Sequence, residues 1–175
     1  PYEKRFLQSI PYMFTLNNGI MIPREKLMKK NNDGSAVIIM PIDKENEEVV
    51  VTVEPRVFTS LGVSVGFPAG YIERNEKPKD AALRELREET GYTTNNLELL
   101  DSFYQDEGAG SAYNHIFLAK DCIKLYNQEL DEDEKVKFMT FTYDELLELE
   151  ELNYINSSNS KDFTLSFVWQ KPKEE

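Results

Sequence analysis

The stretch GYIERNEKPKDAALRELREETGY, residues 70–92, constrains this chain more than any other. Ala82, Leu83, Leu86 and Thr90 recur at helical spacing, so most of it reads as an amphipathic helix with one face turned to a core. Both ends are marked chemically. Pro78 suits a first helical turn, where a missing N–H costs nothing, and Gly91 suits the residue just past the end. At about 100° per residue, Glu85, Glu88 and Glu89 share a face about 100° wide beside the apolar stripe. Ala81 falls on that face, where its methyl leaves room above the acids, and Arg84 lies one turn before Glu88, placed to brace it. Like charges at this spacing cost only about 0.2–0.5 kcal/mol per pair, so crowding alone also fits a solvated Glu/Arg helix. The preceding FPAG turn and Gly70 bring backbone carbonyls to the start of the acidic face. Carboxylates and carbonyls together form an all-oxygen donor set, which suits Mg²⁺ or Mn²⁺ rather than zinc.

The flanking sequence reads as strands. SAVIIMPID (35–43) and EEVVVTVEPR (47–56) are apolar and β-branched, and SVGFPAGYIE (64–73) reads as a strand entering a turn at Pro68 and Gly70. LELLDSFYQ (97–105) and AYNHIFLAKD (112–121) follow, separated by the Gly-rich DEGAGS, and KVKFMTFT (135–142) alternates. Thr142 and Glu145 form a capping box for a helix to about Leu152, and a last helix is expected over about Ser160–Gln170. YMFTLNNGIMI (12–22) reads as a short hairpin about Asn-Gly, followed by a polar connector, 23–34. Strands, helix, strands, helix predicts an α/β fold with a mixed sheet. The hairpin and connector (1–34) precede one domain (35–175).

Composition narrows the function. A net charge of −12 argues against non-specific nucleic-acid binding, which needs a basic stripe, but admits an anionic small substrate screened by a metal. No run approaches the roughly 18 apolar residues of a membrane span, and the N-terminal residues lack a signal-peptide pattern. Cys122 is the sole cysteine, so no disulfide within the chain and no cysteine zinc site forms; a cytoplasmic location is expected. Cys122 itself reads as a small buried residue at a strand end.

The spacing of Gly70, Glu76, Arg84, Glu85, Glu88, Glu89 and Gly91 resembles the Nudix box of the Nudix hydrolases, with Leu86 and Tyr92 at its aliphatic positions. The resemblance implies the family's α/β/α sandwich over roughly residues 35 to 155. It also implies hydrolysis of a nucleoside diphosphate linked to another moiety. Carried over, Glu85, Glu88 and Glu89 are metal ligands, Arg84 orients them, Glu76 supports the entering loop, and the carbonyl of Ala69 is a further ligand. Gly70 and Gly91 are structural.

Several features resemble the ADP-ribose pyrophosphatase branch, so ADP-ribose or a nucleotide sugar is the expected substrate and Mg²⁺ the expected cofactor, with Mn²⁺ also suited. VVVTVEPR resembles that branch's strand ending in a substrate-facing arginine, which is Arg56 here; a surface arginine closing a strand is an equal reading. FPAG resembles its LPAG, and the hairpin resembles its N-terminal strands, which often complete a homodimer. A loop acid about 45 residues past the box maps onto Glu134, with Glu132 as substitute, as metal ligand or general base. Two positions depart from the branch: Gly66 stands where many members have Glu, and GSA (110–112) lacks an acid that Asp106 or Glu107 would have to replace. Other readings are hydrolysis of modified nucleoside triphosphates and a non-catalytic nucleotide-sensing domain. His115 reads as a structural histidine. Trp169 reads as packing for the last helix, and Phe58, Phe103 and Tyr104 as better candidates to flank a base.

Overall fold

The structure is a computed structural model that describes residues 6–29, 32–132, 134–157 and 160. The element order is β1 (Leu7–Thr15), β2 (Met21–Lys29), β3 (Ala36–Asp43), β4 (Val49–Pro55), β5 (Val63–Gly66), β6 (Ala69–Tyr71), α1 (Pro78–Thr90), β7 (Tyr92–Thr93), β8 (Asn96–Tyr104), β9 (Tyr113–Lys124), β10 (Lys137–Phe141) and α2 (Tyr143–Glu151). The helix expected from Ser160 onward, with Trp169, lies outside the described residues except Ser160 itself.

The strand β3 sits at the centre because both its faces are apolar. It pairs in parallel with β9 and antiparallel with β4 and β6, in a sheet of order β10-β4-β3-β9-β7. The period of two then divides the core into two layers. Val37 and Ile39 of β3, Val50 of β4, and Phe117 and Ala119 of β9 pack with Ala81, Ala82 and Leu86 of α1. Ile38 and Met40, Val49 and Val51, and Ile116 and Leu118 point the other way, onto Leu146 of α2 and Ile155. A sheet covered by a helix on each face is the expected α/β/α sandwich. Among the described residues, no helix is long and apolar enough to cross a membrane.

Both helices end as their sequences demand. Pro78 lies in the first turn of α1, and Gly91 closes it at φ 75°, donating its N–H to the carbonyl of Arg87. Thr142 and Glu145 form the reciprocal capping box of α2. Ala81 departs from expectation: it is fully buried in the core, not on an open acidic face. Helix α1 lies against both β3 and β6, so its buried side widens to include Ala81, Glu85 and Glu89.

Two strand assignments also change. The segment 64–73 is two strands, β5 pairing with β4 and β6 with β3. The chain changes partner at buried Phe67 and Pro68, and the Pro68 carbonyl accepts from the N–H of Ile39. The hairpin is longer than the Asn-Gly signal indicates, and the polar connector is largely strand. In β2 residues 21 to 29 pair with 15 back to 7, and the Leu27 N–H bonds to the carbonyl of Ala109. Backbone pairing is blind to the polarity that made this segment read as a loop. All nine residues of β1 are exposed, Met13 and Phe14 at over half of their surface.

The two caps give a contrast testable by thermal melts. In Gly91→Ala the new Cβ lies 2.1 Å from the backbone carbonyl oxygen of Tyr126, at a left-handed φ. The expected loss is about 2 kcal/mol or more, since neither backbone yields cheaply. Thr142→Ala loses only a side-chain cap, about 1 kcal/mol.

Candidate active site

The guanidinium of Arg84 gathers the acids of the motif. Its Nε and Nη2 donate to the two carboxylate oxygens of Glu76, each at 2.9 Å. Nη1 donates to Glu85 at 2.6 Å and Glu88 at 3.1 Å, and Nη2 also reaches the carbonyl of Tyr71 at 3.0 Å. The bond to Glu76, above all, raises the pKa of Arg84, and the same bond lowers that of Glu76. Glu76 in turn accepts from the N–H of Glu73, fixing the loop that enters α1. Arg84 thus contacts both Glu85 and Glu88, and Glu76 contacts the loop that enters α1.

Glu89 lies deepest, on the sheet side. It accepts from the N–H of Ala69 at 3.1 Å. Burial first, then the charge of Glu85, pushes its pKa up to about 9. Burial also raises that of Glu85, against the pull of Arg84. Gly70 explains how Glu85 fits: a Cβ there would stand 2.0 Å from the Glu85 carboxyl carbon. The close approach of strand to helix is therefore reserved for a carboxylate.

Arg84, Glu85, Glu88 and Glu89 line a cleft of about 1430 Å³ together with Ala69, Gly70 and Tyr71. Arg56 lines the same cleft, bonded to Glu54 at 2.5 Å. Glu134 lines the cleft from the segment between β9 and β10, with Glu129 and Asp131. Its charge reaches Glu54, Glu85 and Glu89. Phe6 and Tyr71 form an aromatic pair along the edge, ring centroids 6.1 Å apart.

Other candidates stand elsewhere. Glu132 is exposed and does not line the cleft, so only Glu134 of the two acids faces it. Asp106 caps the N–H of Gly108, and its loop packs on β2; neither it nor Glu107 replaces an acid in the cleft. Phe58 is fully exposed, Phe103 packs on the α2-side core, and Tyr104 stacks edgewise on Tyr113, so none of the three flanks the cleft. His115 bonds to Ser102 Oγ at 3.0 Å, and burial lowers its pKa, as suits a structural residue. Cys122 is buried and donates to the Ala119 carbonyl, with burial pushing its thiol up to about 12. At Gly66 a Cβ would crowd the Ser160 hydroxyl, and Ala112 is buried.

Glu54 and Tyr71 went unread in the sequence. Glu54 lies two residues before Arg56, the spacing that shares a strand face, and this was the available signal. Tyr71 follows Gly70 directly and carried none.

The donor chemistry fits a hard cation. Glu85, Glu88 and Glu89 with the Ala69 carbonyl offer oxygen alone, and of the three acids only Glu85 and Glu88 are paired with Arg84. As placed, among the described residues, no three acids are gathered tightly enough to hold an ion. Glu85 and Glu88 are turned to Arg84, so ligation requires a rotamer change of these two side chains.

Comparison with known proteins agrees with this geometry. The model of the NUDIX domain matches residues 33–163, about three quarters of the chain. The ADP-ribose pyrophosphatase of Bacillus subtilis (strain 168) is 34% identical over 135 residues, covering 75% of this chain and 72% of that protein. The methanol dehydrogenase activator of Bacillus methanolicus is 39% identical over 114 residues, covering 65% and 60%. The crystal structure of an ADP compounds hydrolase superposes with a TM-score of 0.77 at 24% identity, over 96% of this chain and 87% of that one, which supports the fold. With the motif, the sandwich and the length of these matches in agreement, the chain belongs to the Nudix family, as a pyrophosphohydrolase related to the ADP-ribose pyrophosphatases.

Proposed function

We propose that the protein hydrolyses the diphosphate bond of a nucleoside diphosphate derivative, ADP-ribose or a nucleotide sugar, with Mg²⁺ or Mn²⁺ as cofactor. One observation carries the reading: the acids Glu85, Glu88 and Glu89 line one cleft together with the cation Arg56. The relatives named for ADP-ribose and ADP-sugar pyrophosphatase activity, the latter a Mus musculus protein 33% identical over 90 residues, support the substrate class.

In this reading Glu85, Glu88, Glu89 and the Ala69 carbonyl hold the divalent ion. Such an ion neutralises charge on the diphosphate and makes water a usable nucleophile at neutral pH. Arg84 and Glu76 keep the ligand carboxylates in place. Arg56, steadied by Glu54, binds a phosphate or ribose oxygen. Glu134 accepts the proton of the attacking water, and Phe6 with Tyr71 forms an apolar edge for the nucleoside. For ADP-ribose the products are AMP and ribose 5-phosphate.

The hairpin supports a homodimer. A lone two-stranded ribbon is at best marginally stable in water, yet β1 exposes Leu7, Ile10, Tyr12, Met13 and Phe14. Tyr12 and Phe14 stack on one face at 6.1 Å. A second copy covers this surface. A reducing compartment such as the cytoplasm suits the buried free thiol of Cys122.

Three measurements check these assignments. Against a panel of nucleoside diphosphate derivatives with Mg²⁺, turnover is expected for ADP-ribose or a nucleotide sugar, and excess EDTA should reduce it to background. Chelator-independent turnover would remove the metal from the reading, and turnover of triphosphates alone would change the substrate class. Glu88→Gln should lower kcat by about 10²–10³-fold. Its half-exposed ion pair is worth little, so the melting point should move by no more than about 3 °C. Gly70→Ala should behave similarly, because its Cβ displaces the flexible end of Glu85 and spares the backbone. A loss of stability without loss of activity in either variant would make the acids structural. Light scattering should give about twice the 20.3 kDa chain mass, and Phe14→Glu about once that mass; a monomeric parent would refute the dimer.

A further inference from the structure

We infer that Gln128 is a positioning residue for catalysis: its side-chain amide ties the neck of the acidic segment 129–135 to the last turn of α1 and so sets where Glu134 stands over the cleft. The inference rests on the proposed role of Glu134 in hydrolysis.

An α-helix leaves its last four carbonyls without partners inside the helix. In α1 all four are taken, one by the last residue of β9 and two by the segment that follows it. The Arg87 carbonyl accepts from Gly91 N–H at 2.8 Å, and that of Glu88 from Glu129 N–H at 2.9 Å. The Glu89 carbonyl accepts from Gln128 Nε2 at 2.5 Å, and that of Thr90 from Lys124 Nζ at 3.4 Å. The Gly91 carbonyl accepts from the N–H groups of Leu125 and Tyr126, each at 3.1 Å. The chain that will carry Glu134 is therefore also the C-terminal cap of the helix that carries Glu85, Glu88 and Glu89.

Gln128 makes the side-chain link in this cap that also spans the loop. Its Nε2 donates a second bond, at 3.2 Å, to the carbonyl of Val136, the residue on the far side of the loop. Both partners are carbonyls, so only the NH₂ end of the amide serves, and its two protons are both used. The bridge closes residues 129–135 into a neck fixed to the main chain of Glu89. Gln128 is half-buried and Val136 buried, so water is a poor substitute. The parallel link, Arg87 to Glu129 at 3.3 Å, joins two exposed side chains and contributes little.

Beyond the neck, the hydrogen bonds among the described residues of the loop lie within the loop. Asp131 N–H donates to the Glu134 carboxylate at 3.1 Å, and Glu134 N–H to the Asp131 carbonyl at 3.0 Å. Lys135 Nζ reaches the Glu132 carbonyl at 3.4 Å. A turn closed on itself moves as a unit about its neck, so the neck sets the distance from Glu134 to the acids of α1. Misplacement of a reacting group by about 1 Å is enough to cost about 10²-fold in rate.

The test uses the full chain with Mg²⁺ and ADP-ribose, or whichever derivative of the panel is turned over. Gln128→Met keeps the length of the side chain and removes both donors. It is expected to lower kcat by about ten- to a hundredfold with KM within about twofold. In a Glu134→Gln background the same change should cost less than about twofold, because residues acting through one another are not additive. Gln128→Arg restores donors to both carbonyls at a helix C-terminus and should recover most of kcat. Hydrogen exchange over residues 129–135 should quicken about tenfold in Gln128→Met while the first turns of α1 stay protected. Equal losses in the two backgrounds, or unchanged exchange in the loop, would overturn the inference. So would full kcat in Gln128→Met while Glu134→Gln is impaired. Full activity of Glu134→Gln instead refutes the role given to Glu134, and this inference falls with it.

Discussion

The five hydrogen bonds of Arg84 are the interaction on which the cleft depends. A guanidinium presents donors in a rigid plane, and here they are divided among Glu76, Glu85, Glu88 and the Tyr71 carbonyl. The division links two stretches of chain, residues 71–76 and the helix α1, and adds polar ties to the apolar packing of Ile72 on the same layer. Of the two buried carboxylates, Glu85 relies on that cation to oppose the effect of burial, whereas Glu89 has only the Ala69 N–H and is already driven toward the neutral form. Lysine at this position offers a point charge and cannot serve four partners in one plane.

The same neighbourhood shows why the two glycines of the motif are not equivalent. Gly91 is required by main-chain geometry, since its φ is positive and the Tyr126 carbonyl sits where a side chain would go. Gly70 has ordinary φ and is required by the Glu85 carboxylate packed over its Cα. One serves the fold and the other the site, although both stand as invariant-looking ends of a single pattern. Glu85 and Glu89 occupy core positions on α1, and the stability forgone by burying acids there is recovered from Val37, Ile39, Leu86 and their neighbours in the same layer.

Local signals were legible in the sequence to the extent that they are local. Pro78, Gly91 and the Thr142–Glu145 box set helix ends through groups a few residues apart, and the structure places those ends accordingly. The acids of α1 were legible because one helix carries them. Glu54, Tyr71 and Gln128 were not, since each acquires its place through a partner distant in the chain or a strand pairing. Phe103 and Tyr104, core residues by default and candidates to flank a base, take their places from strand pairing: β8 pairs with β9, Phe103 packs on the core and Tyr104 stacks against Tyr113. The hairpin erred in the other direction. Its polar residues concealed a strand whose pairing is a main-chain property.

A division of labour follows from where these groups are held. The acids assigned to the chemistry sit on one helix clamped at both ends, by Arg84 and Glu76 at the loop that enters it and by residues 124–129 at its exit. Groups facing the cleft from elsewhere, Arg56 at the end of β4, Phe6 before the hairpin and Glu134 beyond the Gln128 neck, stand on separate segments. Each stands on a different segment from the others, whereas Glu85, Glu88 and Glu89 share the helix. A family built this way can exchange substrates by altering strand ends and loops while the helix stays fixed. In the proposed reading, Arg56 and the loop that follows Gln128 meet the substrate from outside the motif, and the motif supplies the acids.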